Sequence, residues 1–266
     1  MKKTTGFLFT AGIVLAMAFT GCGGSRPSDK ASAHYDKGVE YSKKKEYDKA
    51  IADFTEAIRL NPKLGRAYDY RGFMYSNKGD YDKAISDYTE AIRLEPNDST
   101  IAFRVYYYRG VAYYQKKEYD KAISDYTEAI RLHPKDVDIY IFRGSAYHYK
   151  GDYDKAISDF TEAIRLDPKD AGMYYERGWT YYTKGDYDRA IADYNETIRL
   201  KPDHAETYFN RGNTYYQKGD YDQAISNYDD AIRLDPNHAG AKNNRSAAYD
   251  AKSNNQKGEA IVNEAR

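Results

Sequence analysis

One arrangement of residues returns every 34 positions through most of this chain, and it constrains the fold more than any other feature. Pro62, Pro96, Pro134, Pro168, Pro202 and Pro236 mark it. So do Arg71-Gly72, Arg109-Gly110, Arg143-Gly144, Arg177-Gly178 and Arg211-Gly212, with Lys37-Gly38 as an altered first copy. Only the step from Pro96 to Pro134 is longer, by four residues near Ser99–Ala102. A self-similar unit of this size cannot bury its apolar face alone, so neighbouring units must stack. Six units follow: 31–64, 65–98, 103–136, 137–170, 171–204 and 205–238.

Each unit carries two apolar stripes at helical spacing. In the fifth, Tyr174, Gly178 and Tyr181 form one stripe and Tyr187, Ala190, Tyr194 and Thr197 the other. Lys184-Gly185-Asp186 stands between them. Glycine ends a helix in the left-handed conformation and aspartate caps the next. Units one and three carry Lys45-Glu46 and Lys117-Glu118 at that corner, so less ideal turns are expected there. Proline stops the second helix or forces a turn just beyond it.

Position by position, the unit resembles the tetratricopeptide repeat (TPR). Its large residue at position 4 appears as His34, Tyr68, Tyr106, Tyr140, Tyr174 and Tyr208. Its small residue at position 8 is the glycine series. Tyr41, Tyr75, Tyr113, Tyr147, Tyr181 and Tyr215 occupy position 11. Ala50, Ala84, Ala122, Ala156, Ala190 and Ala224 occupy position 20. Phe54, Tyr88, Tyr126, Phe160, Tyr194 and Tyr228 occupy position 24. Position 27 is alanine except for Thr197. The resemblance implies an all-α fold, a right-handed superhelical solenoid of six helix pairs. Residues 239–266 read as a partial seventh unit or capping helix, with Arg245 and Tyr249 in register. Most of the 31 tyrosines are thereby assigned to helix packing.

Arginine at position 7 departs from the repeat's common leucine. Asp53, Asp87, Asp125, Asp159 and Asp193 recur at position 23, with Asn227 in the sixth unit. The arginines are expected to bond to an aspartate of their own or the preceding unit.

At about 100° per residue, positions 2, 5, 9, 12 and 13 of the first helix share an arc opposite the core. In TPR proteins this arc lines a concave groove that binds peptide segments. Carried over, it assigns Tyr107 and Tyr114 from unit three, and Ile141, His148 and Tyr149 from unit four. Unit five gives Tyr175, Trp179 and Tyr182; unit six gives Phe209, Asn213 and Tyr216. The core pattern does not require aromatic residues there, and such residues are favoured at interfaces. The alternative is packing against the neighbouring first helix. The Lys and Asn set that clamps a C-terminal carboxylate in chaperone-binding repeats is absent as a set.

The N-terminus has a different composition. Lys2 and Lys3, an uncharged apolar stretch from Phe7 to Phe19, and Thr20-Gly21 make a secretory leader over residues 1–21. The single cysteine, Cys22, follows at once. This resembles the lipobox of bacterial lipoproteins, with Phe19 where that family prefers an aliphatic residue. The resemblance implies a lipidated Cys22, membrane attachment through that lipid, and a place in the bacterial cell envelope, at the outer membrane if the host has one. Residues 22–30 then read as lipidated cysteine and flexible tether.

Lys plus Arg equals Asp plus Glu, 41 each, so no field draws polyanions and no nucleic-acid partner is expected. The five histidines form no ligand cluster, the glycines form no phosphate loop, and Cys22 is committed to lipid. No metal, cofactor or catalytic site is expected, and the chain reads as a non-enzyme. The leading expectation is a lipid-anchored scaffold or adaptor that holds a protein or peptide segment in its concave groove. A lipoprotein binding a small apolar ligand or assisting transport is the alternative. A self-assembling structural element is the third reading.

Overall fold

The computed structural model describes residues 29–96 and 98–264, with side chains described as far as residue 257. The leader, Cys22 and most of the tether lie outside the described residues. Among those described, the chain forms thirteen α-helices and no strand. They come in pairs: α1 (Asp29–Lys43) and α2 (Tyr47–Leu60), α3 (Gly65–Asn77) and α4 (Tyr81–Leu94), α5 (Ser99–Gln115) and α6 (Tyr119–Leu132). Then follow α7 (Val137–Lys150) and α8 (Tyr153–Leu166), α9 (Ala171–Lys184) and α10 (Tyr187–Leu200), and α11 (Ala205–Gln217) and α12 (Tyr221–Leu234). The last helix, α13 (Ala239–Glu264), stands alone. Helix α1 begins at Asp29, so the last two residues read as tether are helical.

The pairing follows from the stripes. In α10, Ala190, Asp193, Tyr194 and Thr197 are buried, one face of a helix whose other face is charged. The ring of the position-24 aromatic lies against the glycine of the facing helix. A Cβ on Gly110 would come within 2.7 Å of the Tyr126 ring, and one on Gly178 within 3.1 Å of Tyr194. No side chain larger than hydrogen lets these helices approach so closely.

The corners behave as their residues dictate. Gly79, Gly151, Gly185 and Gly219 all take positive φ. Lys45 (φ 58°) and Lys117 (φ 61°) adopt the same left-handed conformation without glycine's freedom. Asp186 and Asp220 accept backbone hydrogen bonds as N-caps, whereas Glu46 and Glu118 accept none. The four extra residues of unit three lengthen α5 by a turn at its start. Asp98 caps that turn, accepting from the backbone of Thr100 and Ile101 at 3.0 and 3.1 Å.

The arginine ladder forms in four of its five rungs. Arg71, Arg109, Arg143 and Arg177 each donate from Nε and Nη2 to both oxygens of Asp87, Asp125, Asp159 and Asp193 of their own unit, at 2.7–2.8 Å. Each Nη1 reaches back to a threonine of the preceding unit, as Arg143 does to Thr127 Oγ1 at 3.1 Å. Arg211 pairs with Asn227 and Asn195 instead. In the first unit, where lysine replaces arginine, His34 Nδ1 meets Asp53 at 2.7 Å. Burial pushes the four aspartates above the usual carboxylate range despite the guanidinium pull. Desolvation therefore offsets much of the attraction, and the pairs act on register more than on net stability.

A second ladder joins the units. Lys78, Lys116, Lys150, Lys184, Lys218 and Lys252 each pair with an aspartate of the unit before: Asp48, Asp82, Asp120, Asp154, Asp188 and Asp222. Lys252 lies on α13, and Arg245 of the same helix reaches Asp229 at 2.6 Å. Helix α13 thus sits in register as a seventh first-helix, and it runs on to Glu264 where other units turn.

Candidate partner-binding groove

Each first helix touches the first helix of the next unit, from α1 against α3 to α11 against α13. Second helices of successive units make no such contact among the described residues. A stack drawn together along one side curves toward that side, so the odd-numbered helices line the inner face.

That face carries a wall of rings from α5 to α11. Tyr107 meets Phe142 edge-on, with ring centres 5.6 Å apart. Tyr114 stands edge-on to Tyr119 and Tyr149, at 5.7 and 6.0 Å. Tyr149 is 48% exposed, one of two large apolar side chains that open among the described residues. It stacks on Tyr119 and meets the Trp179 indole edge-on, both at 6.0 Å. Tyr182 packs on Tyr187, Phe209 on Tyr228 and His238, and Tyr216 on Tyr221. Tyr228 is buried, and the others except Tyr149 are partly buried.

Four expected groove residues sit deeper or are tied down. Ile141 and Tyr175 are buried. The Tyr175 hydroxyl accepts from Asn210 Nδ2 at 2.8 Å. His148 is buried beneath Trp179, ring centres 4.1 Å apart, so it supports the indole instead of facing a ligand. Its Nδ1 lies 3.0 Å from Thr180 Oγ1, whose hydroxyl donates to the Glu176 carbonyl. The hydroxyl proton is thus used, which assigns the neutral imidazole's proton to Nδ1. Burial pulls the His148 pKa down to about 4, so the ring is neutral at pH 7. Asn213 is held by the Tyr228 hydroxyl at 2.9 Å and by Asn244 Nδ2 at 2.8 Å.

Position 6 of the first helix, which the arc left out, also contributes. Tyr70, Phe142, Glu176 and Asn210 stand there. An ideal helix places this position about 20° beyond the arc. The inner face is rotated by roughly that much, which also buries position 5 at Ile141 and Tyr175. Glu176 is partly buried, and burial pushes its carboxyl up to about 7. Its side chain makes no hydrogen bond or ion pair among the described residues. Its charge is felt by the phenols of Tyr114, Tyr149, Tyr175 and Tyr194. The Tyr194 hydroxyl is itself buried without a partner.

Charge divides the face in two. In units two and three, Arg104 pairs with buried Asp69 and lies 4.5 Å from the Tyr70 ring, while Arg66 meets Asp98 at 3.6 Å. In units four to six, the inward positions 2, 5, 6, 9, 12 and 13 hold Asp138, Glu176 and Glu206 and neither lysine nor arginine. Glu206 meets His238 Nε2 at 3.2 Å. Among the described residues, no group of three or more His, Cys, Asp or Glu side chains could hold a metal ion. No described helix is long and apolar enough to cross a membrane.

Profiles of the tetratricopeptide repeat match residues 31–64, 65–98, 103–136 and 205–238, and a further TPR repeat profile matches 144–185 and 178–219. Among solved structures, the chain is 24% identical to YrrB, described as a TPR protein with an unusual peptide-binding site. That match covers 73% of this chain and 97% of YrrB, at a TM-score of 0.62. It is 28% identical to MamA over 63% of this chain and 96% of MamA, at 0.58. It is 24% identical to the C-terminal part of a TPR repeat-containing protein from Cytophaga hutchinsonii, over 75% of this chain and 78% of that one, at 0.67. No curated protein matches the chain.

Proposed function

This chain belongs to the tetratricopeptide repeat family, and from that premise we propose that it is a lipid-anchored scaffold of the bacterial cell envelope that holds a protein segment along its inner face. The observation that carries the reading is the ring wall from Tyr107 to Tyr216, with Tyr149 exposed and Trp179 open on one side. Tyr107, Tyr114, Tyr182, Phe209 and Tyr216 pack against the core with one part and keep the rest exposed. Phenol and indole groups give large contact areas at little entropy cost. The mechanism is reversible surface complementarity without turnover. The rings are held by packing and by bonds such as Asn210 to Tyr175, so the face is ordered before a partner arrives, which lowers the cost of binding.

Attachment rests on the sequence around Cys22. Acyl chains on that cysteine would hold the scaffold at a membrane, each buried methylene contributing about 0.8 kcal/mol. Residues 23–28 would tether the solenoid.

The reading is tested by crosslinked capture from envelope extract, comparing the full chain with a Trp179→Ala/Tyr182→Ala variant. A protein held by the first and lost by the second supports the groove. Equal capture by both, with both folded by circular dichroism, moves binding to another face. For the anchor, Cys22→Ser should shift the chain from the membrane to the soluble fraction; an unchanged distribution removes the lipid from the account.

A further inference from the structure

Resting on the groove reading above, the geometry points to a basic occupant: a lysine or arginine side chain of the bound segment enters among Tyr114, Tyr149, Tyr175 and Trp179 and pairs with the Glu176 carboxylate.

Three observations carry this. First, Glu176 has no partner of its own. The nearest guanidinium in sequence, Arg177, is committed to Asp193 and to Thr161 of the preceding unit. A carboxylate left without a counter-charge beside apolar rings is costly for the empty protein, and a cation that reaches it recovers that cost. Second, the surroundings suit a cation. The phenols of Tyr114, Tyr149 and Tyr175 all sense the Glu176 charge, and the Trp179 indole meets Tyr149 at 6.0 Å. Aromatic faces attract ammonium and guanidinium groups at such range. Third, the charge is one-sided. Units four to six turn Asp138, Glu176 and Glu206 inward with no lysine or arginine among the inward positions. At the other end, Arg66 and Arg104 already face carboxylates.

Burial holds the empty Glu176 near pKa 7, so an entering cation also completes the ionisation of this carboxyl. A segment with an acidic side chain at this point would meet the Glu176 carboxyl and no lysine or arginine among the inward positions of units four to six.

The test titrates the full chain with end-blocked peptides of one sequence whose variable positions are all lysine, all norleucine or all glutamate. Emission from Trp179, the single tryptophan of the chain, reports binding. The lysine peptide should bind about tenfold tighter than the norleucine peptide, with the glutamate peptide weakest. Glu176→Gln should abolish the preference for lysine while the norleucine peptide still binds. Asp203→Asn, on an exposed corner, should leave the preference intact and so exclude general charge attraction. Equal binding of lysine and norleucine peptides, or a preference that survives Glu176→Gln, overturns the basic occupant and leaves the groove standing. If no peptide perturbs Trp179, the groove reading falls and this inference with it.

Discussion

The imidazole of His148 lies 4.1 Å from the indole of Trp179, and its Nδ1 lies 3.0 Å from Thr180 Oγ1 on the same helix as the indole. A residue of α7 thus sets the position of the most informative ring on α9, across a repeat boundary. His148→Ala should remove the support beneath the indole and leave a cavity. The expected results are a red shift of tryptophan emission and a loss of about 2–3 kcal/mol in unfolding free energy. Unchanged emission would mean that Trp179 is held by something else.

Glu176 makes stability depend on pH in an unusual direction. Its carboxyl is raised from 4.5 to about 7 in the folded chain. Between those values the folded state keeps a proton that the unfolded state has lost, so stability falls as pH rises through the window. Glu176→Gln should therefore stabilise the chain at pH 8 by about 1–2 kcal/mol, discounted for partial exposure, and by little at pH 4. His148 acts in the opposite sense. Its pKa is lowered from 6.5 to about 4, so it contributes stability that is lost as pH falls through that range. Urea midpoints for both proteins across pH check this; a constant difference between them contradicts it.

The buried arginine ladder should matter more when broken than when removed. Asp159→Ala leaves the Arg143 guanidinium without its carboxylate and should cost about 3 kcal/mol or more. Arg143→Leu/Asp159→Ala, which restores the common TPR residue at position 7, should fall within about 1 kcal/mol of the parent. A double variant as unstable as Asp159→Ala alone would show that the pair contributes net stability.

Two corners hold lysine where four hold glycine. Lys45→Gly and Lys117→Gly should each raise stability by about 0.5–1 kcal/mol, since left-handed φ costs lysine energy that glycine avoids. Neither side chain makes a hydrogen bond or ion pair in the structure, so little offsets the gain. A loss of melting temperature in either variant would contradict the strain.

Most of the fold was legible because the repeat encodes it six times. Gly178 against Tyr194 could be read from position numbers because the same contact recurs in all six units, and Arg143 on Asp159 because its equivalent recurs in four. The inner face was less legible because it depends on how adjacent first helices are rotated, which no single unit states. Position 5 therefore turned inward at Ile141 and Tyr175, while position 6 brought Glu176 to the wall. His148 was read as facing the groove, yet the larger Trp179 one repeat later covers it. The unpaired Glu176 carboxylate had a sequence signal in the missing basic residues of units four to six, visible once position 6 is counted as inward.

The central claim is that the inner ring wall is the contact surface for a protein partner. Photo-crosslinking in intact cells tests it most directly, with a photoreactive side chain at Tyr149 on the inner face or at Ala192, exposed on α10. The account predicts a discrete adduct from position 149, lost in the Trp179→Ala background, and none from position 192. An adduct from position 192 alone, or equal adducts from both, would contradict it.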